Sequence, residues 1–225
     1  MAGVLLDMDG TLLDTEVIYL SSTMAAMNSL GYPDAMEICH AMIGIPGPEC
    51  EAMLLSRYGP QFSISGFNRE FVIHRDRLLE QGLPLKPGAS ELIDALADAQ
   101  IPRAVVTSSS RKTAERHLTL AGIRSRIEMV VTRDDVSRGK PAPDLYLLAA
   151  ERLSLAPQSC LAIEDSTPGI SAAHAAGIAA IMVPDILQPT ADTRQMCAAV
   201  LPDLMAVLAL LRTQGFLPGR VLQAD

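Results

Sequence analysis

A chain of 225 residues with 49% hydrophobic side chains can bury one sizeable core, or one core and a smaller accessory unit, and is too apolar to stay disordered. Its formal net charge of -8 argues against a nucleic-acid backbone binder, which needs a positive face to displace counterions. A small anion would have to be held by local charges instead. Four cysteines (Cys39, Cys50, Cys160, Cys197) lack metal-ligand spacing and read as reduced and packed.

The first apolar run, Gly3 to Leu6, predicts a buried strand. The segment from Met1 has no basic leader and meets Asp7 too soon for a signal peptide, so a soluble, cytoplasmic protein with no membrane partner is expected. Directly after the strand, Asp7 and Asp9 stand two residues apart, a spacing that puts both carboxylates on one face at a strand's carboxyl end. Ligands of parallel α/β sheets sit there. Asp9-Gly10 is equally a common turn dipeptide.

From about residue 15 to 80 no strand pattern appears, but helical spacing does, as in Val17, Leu20, Met24 and Met27. We expect an all-helical insert over residues 15–80, with residues 1–14 and 81–225 forming an α/β core. Thr15 reads either as the N-cap of a helix or, with Glu16, as a contact to substrate hydroxyls. The Gly/Pro-rich segment 44–48 reads as a loop.

Beyond the insert, apolar runs at Ala104-Val106, Met129-Val131, Leu161-Ile163 and Ala179-Val183 alternate with helical stretches, which predicts a doubly wound parallel sheet. The runs end in polar groups: Thr107-Ser108-Ser109 after one, Lys140 in the loop after the next, Glu164-Asp165 after the third. A hydroxyl and an ammonium can hold phosphate, although a Ser/Thr run is also an ordinary helix start and a lone lysine an ordinary surface residue. Two acidic pairs at two strand ends repel unless a cation lies between them, and hard oxygen ligands suit Mg²⁺. The histidines do not cluster along the chain, and none is assigned to metal or catalysis.

The segments DMDGTLLDTE, VVTSSS, RGKPAPDLY and EDSTPGISAAHAAG resemble, in order, the four motifs of the haloacid dehalogenase-like superfamily, and the insert resembles the helical cap of its β-phosphoglucomutase-like and phosphoglycolate phosphatase-like branch. The resemblance implies a Mg²⁺-dependent phosphatase of small phosphorylated metabolites, sugar phosphates foremost, working through an aspartyl-phosphate. By motif, Asp7 resembles the nucleophile and Asp9 the general acid/base. Thr107 resembles the hydroxyl that binds the phosphoryl group, with Ser108 and Ser109 beside it, and Lys140 the cation that neutralises it. Asp165 resembles the Mg²⁺ ligand that acts with the Asp7 side chain and the Asp9 carbonyl, with Glu164 beside it. Gly10 would let the backbone turn beside the phosphate. Because an oxygen leaving group needs a proton donor, Asp9 favours phosphate esters over haloacids.

A sugar-phosphate mutase of the same branch is the alternative. Mutases have a histidine where Tyr19 stands, an arginine at the position of Gly47 and a lysine at Ser110, although Arg111 is adjacent. Those replacements favour hydrolysis. A phospho-aspartate signalling domain has its acidic pair on the first strand, which is not the order here, and a non-catalytic binding domain fits poorly with an unsubstituted catalytic set. A monomer or dimer is expected.

Overall fold

The structure is a computed structural model in which residues 1–43, 45 and 47–218 are described. The chain divides into two compact units, Met1–Leu13 with Pro84–Asp225 and Asp14–Leu83.

In the first unit a six-stranded parallel sheet is built from β1 (Gly3–Leu6), β2 (Arg103–Val106), β3 (Met129–Val131), β4 (Cys160–Glu164), β5 (Ala179–Met182) and β6 (Ala199–Val200). Their order is β3-β2-β1-β4-β5-β6, so β1 lies between β2 and β4, with Leu5 opposite both Ala104 and Ala162. The strands are short, and β1 and β2 are buried on both faces, which is why they read as continuous apolar runs. Leu5, Ala104, Val106, Val131 and Ala162 share one apolar cluster with Leu145, Tyr146 and Ala149 and with Ile170, Ala172 and Ala173. Those residues come from two helices numbered here by chain position, α7 (Asp144–Arg152) and α8 (Thr167–Ala175). Val4, Leu6, Val105 and Ile163 alternate to the other face and are also fully buried. Three more helices, α5 (Ala89–Asp98), α6 (Arg111–Leu120) and α10 (Leu204–Thr213), belong to this unit, and α5 packs on α10. The remaining helix, α9 (Ala191–Met196), precedes β6. The sequence reading did not include β6, whose two residues are too short for any periodicity.

The second unit holds α1 (Thr15–Ser29), α2 (Met36–Ala41), α3 (Gly47–Tyr58) and α4 (Ile64–Glu80). Ala26, Met27, Ile38, Leu54, Phe62 and Phe67 form its core, and rings of Tyr32, Tyr58, Phe62, Phe67 and Phe71 follow one another at centroid spacings of 4.5 to 6.2 Å. Two details of α1 differ from expectation. Thr15 is not its N-cap: Asp14 holds that position, while Thr15 is buried in the first turn. Val17 is exposed, and Ile18 and Ser22 take the inward positions instead. The cysteines are free, and Cys39 and Cys160 are buried. No helix among the described residues is long and apolar enough to cross a membrane.

Candidate active site

Four strand ends supply the polar groups of one cavity of about 420 Å³, lined by Asp7, Asp9, Thr107, Ser108, Ser109, Lys140, Asp165, Ser166 and Pro168. Parallel strands present their carboxyl ends on the same edge, so residues as distant as 7, 107, 140 and 165 converge there. Asp7 leaves β1 with its N–H bonded to Ile163 O at 2.9 Å, and Thr107 leaves β2 with its N–H bonded to Val131 O at 2.9 Å.

Lys140 is the hub. Its buried ammonium donates to Asp7 Oδ1 at 2.5 Å, to Glu164 Oε1 at 2.5 Å and to Val106 O at 2.9 Å. Burial opposes its charge, but the adjacent carboxylates of Asp7 and Glu164 outweigh that and hold the ammonium above its ordinary value. The Tyr146 hydroxyl donates to Glu164 Oε1 at 2.6 Å, and the Ser166 hydroxyl donates to Oε2 at 3.2 Å. Glu164 is thus fully buried and bonded at both oxygens, where it orients Lys140. Tyr146 and Ser166 were not singled out in the sequence. Helix α8 makes room for this carboxylate with Gly169: a Cβ there would lie 2.0 Å from the Glu164 carboxyl carbon and oxygen Oε2.

Asp7 and Asp9 occupy different surroundings. Burial pushes the Asp7 carboxyl well above the usual carboxylate range; the Lys140 ammonium opposes this, and the Glu164 and Asp165 charges reinforce it. Asp9 turns elsewhere: its Oδ2 accepts from the Ser109 hydroxyl at 2.8 Å, and its Oδ1 lies 3.5 Å from Nδ1 of His117, a histidine unassigned from sequence. Thr107 is buried, and its Oγ1 accepts from Ser109 N–H at 3.0 Å, which bends the loop into the cavity.

Asp7, Glu164 and Asp165 each offer a carboxylate oxygen, all within 4.8 Å of one another. One ammonium against three carboxylates leaves a negative balance, and burial with the Glu164 charge raises the Asp165 carboxyl to about 7. A divalent cation with oxygen preference would relieve both, so the donor set fits Mg²⁺. Gly10 has φ of +83°, and a Cβ on it would come within 2.5 Å of Asp165 Oδ2, so only glycine lets the chain pass this carboxylate. Thr11 donates to the other oxygen of Asp165 at 3.2 Å.

The family model described as haloacid dehalogenase-like hydrolase matches residues 4–183. The chain belongs to that family. Among its relatives, a phosphorylated carbohydrates phosphatase of Thermotoga maritima is 30% identical over 178 residues, 79% of this chain and 82% of that protein. Hexitol phosphatase A of Escherichia coli is 35% identical over 185 residues, 80% of this chain and 82% of that protein. A HAD family hydrolase from Deinococcus radiodurans, solved with bound phosphate and sodium, superposes with a TM-score of 0.84 at 28% identity, covering 97% of this chain and 98% of that one.

Of the residues singled out in the sequence, this haloacid dehalogenase-like hydrolase brings Asp7, Asp9, Thr107, Ser108, Ser109, Lys140 and Asp165 to its cavity, with Glu164 and Gly10 directly behind. Thr15 and Glu16 belong to the helical unit, where Glu16 lines a separate cavity of about 370 Å³ with Tyr19, Glu51, Phe67 and Asn68. Arg111, a neighbour of Ser110, is committed to Asp135 at 2.5 Å and Val130 O at 3.0 Å. Of the segment 44–48 expected as a loop, Gly47 and Pro48 instead open α3, and Gly44 and Pro46 lie outside the described residues.

Proposed function

We propose that this enzyme is a Mg²⁺-dependent phosphatase of small phosphorylated carbohydrates, a phosphoric monoester hydrolase that works through a phosphoryl-Asp7 intermediate. The observation that carries the reading is the separation of two carboxylates on one strand end: Asp7 is bonded to Lys140, and Asp9 is turned to Ser109. Two carboxylates in unlike surroundings can take unlike tasks. Asp7 attacks phosphorus, with Lys140 neutralising the charge that gathers on carboxylate and phosphoryl oxygens. Asp9 gives a proton to the departing sugar oxygen and then takes one from the water that hydrolyses the acyl-phosphate. Thr107, with Ser108 and Ser109 beside it, positions the phosphoryl oxygens. Asp7, Asp165 and the Asp9 carbonyl would hold Mg²⁺, with Glu164 beside them; when bound, the ion supplies further positive charge against the phosphoryl group. The helical unit would select the organic part of the substrate; Glu16 lines its cavity, whereas Thr15 is buried. The names of the relatives, which include phosphatases of phosphorylated carbohydrates and of hexitol phosphates, support this substrate class.

The test is phosphate release from a panel of hexose, pentose and hexitol phosphates, with Mg²⁺ or with chelator, for wild type and Asp7→Asn. Metal-dependent release that drops by about four orders of magnitude in the variant is the expected result. Interconversion of a sugar phosphate without phosphate release would instead identify a mutase, and inertness toward the whole panel would remove the carbohydrate reading.

A further inference from the structure

Helix α6 carries a buried histidine for which the chemistry above has no task. His117 is 6% exposed, and its Nδ1 is buried without a hydrogen-bond partner. That atom lies 3.5 Å from Asp9 Oδ1, outside hydrogen-bonding geometry, while the other Asp9 oxygen accepts from Ser109 at 2.8 Å. A buried imidazole nitrogen left unbonded is costly, and leucine would fill an inward helix position without that cost. The helix holds the residue on its inward side: Ser110 caps α6 by accepting from Thr113 N–H, and Ala114, His117 and Leu118 are its buried residues. A small turn can close the gap, because the terminal torsions of both the Asp9 carboxyl group and the imidazole are soft.

We propose that His117 is a positioning residue for Asp9. Its Nδ1–H takes hold of Oδ1 after a small turn of the carboxyl group and fixes the plane of that group. Oδ2, on the Ser109 side of the cavity, is then the oxygen that passes the proton to the leaving group and receives it from water. No proton leaves the imidazole in this arrangement; the ring acts through Asp9 alone. The inference rests on the reading of Asp9 as acid/base.

The nature of the leaving group separates this role from packing. 4-Nitrophenolate departs without a proton, whereas a sugar alkoxide requires one. Single-turnover phosphoryl transfer is measured from 4-nitrophenyl phosphate and from the sugar phosphate hydrolysed fastest in the panel, with the melting temperature of every variant recorded. His117→Leu should slow transfer from the sugar phosphate by about tenfold, the worth of one hydrogen bond to the acid, with KM nearly unchanged. On 4-nitrophenyl phosphate its loss should stay below about twofold. His117→Asn, whose amide can donate near the Nδ1 position, should recover to within about threefold of wild type. In an Asp9→Asn background His117→Leu should add nothing. Equal losses on both substrates, or a loss that adds to that of Asp9→Asn, would overturn the proposal in favour of a structural role; His117→Met serves as the packing variant where leucine does not fold. If Asp9→Asn slows the sugar phosphate and His117→Leu does not, this inference alone falls. If Asp9→Asn leaves that rate intact, the acid/base reading falls and takes the inference with it.

Discussion

The two compact units bury different kinds of side chain. Among the described residues of the helical unit, the buried polar groups are Thr15 and Ser22, and Ser22 simply bonds back to Ile18 O at 2.6 Å. The α/β unit buries Asp7 and Glu164 together with the Lys140 ammonium that bridges them. Charge is costly to bury and is tolerated where partners are arranged for it. The helical unit gains its stability from Met, Ile and aromatic packing, and its cavity can change lining without disturbing any buried charge. Around Lys140 each polar group is a partner of the next, so composition there is far less free.

Substitution of the hub tests that contrast most severely. Lys140→Met leaves two buried carboxylates without their cation, and chemical denaturation should show a loss of about 3–5 kcal/mol along with loss of phosphate release. The loss should be larger at pH 8 than at pH 5, because burial holds the Asp7 carboxyl above the usual carboxylate range and a proton there can stand in for the missing ammonium. Gly169→Ala comes next: its Cβ would sit against the Glu164 carboxylate, so despite the better helix propensity of alanine we expect destabilisation of about 1–3 kcal/mol and reduced turnover.

Metal dependence of stability is a milder probe. Burial raises Asp165 from 3.8 to about 7 in the folded chain, so between those values the folded state binds more protons than the unfolded state. Stability of the chelated protein should therefore fall as pH rises from about 4 to 7, and Mg²⁺ should raise the melting temperature more at pH 8 than at pH 5. A metal effect independent of pH would argue against Asp165 as a ligand. The smallest change is expected in the helical unit. Glu51 accepts from Asn68 at 3.0 Å in the wall of its cavity, and Glu51→Gln should alter KM for sugar phosphates by roughly three- to tenfold while leaving 4-nitrophenyl phosphate turnover nearly constant.

Much of this architecture is legible in the residues. Gly3 to Leu6 is an uninterrupted apolar run that stops at an aspartate, and a strand buried on both faces has little other way to read. The acidic pairs, the hydroxyl run and Lys140 stand out because polar residues interrupt apolar strands at their ends. Tyr146, Ser166 and His117 do not stand out. Tyr146 and His117 occupy inward positions of helices, where a ring satisfies the apolar pattern, and Ser166 is an ordinary helix cap. Their partners, Glu164 and Asp9, are assigned only by the sheet, which brings chain positions 18 and more than 100 residues apart into contact. The inward shift from Val17 to Ile18 was likewise unreadable, since both residues suit either face of α1.

The central place of β1 also bears on how the protein opens. Both edges of this strand are paired, to β2 and β4, and the Asp7 amide extends the ladder through Ile163 O. Amides at Leu5, Leu6 and Asp7 can exchange with solvent only when the middle of the sheet comes apart, which places Asp7 in the last cooperative unit to unfold. Fraying of helices or loops elsewhere leaves its backbone protected. A ligand that tightens the cavity would accordingly register there as slower global opening.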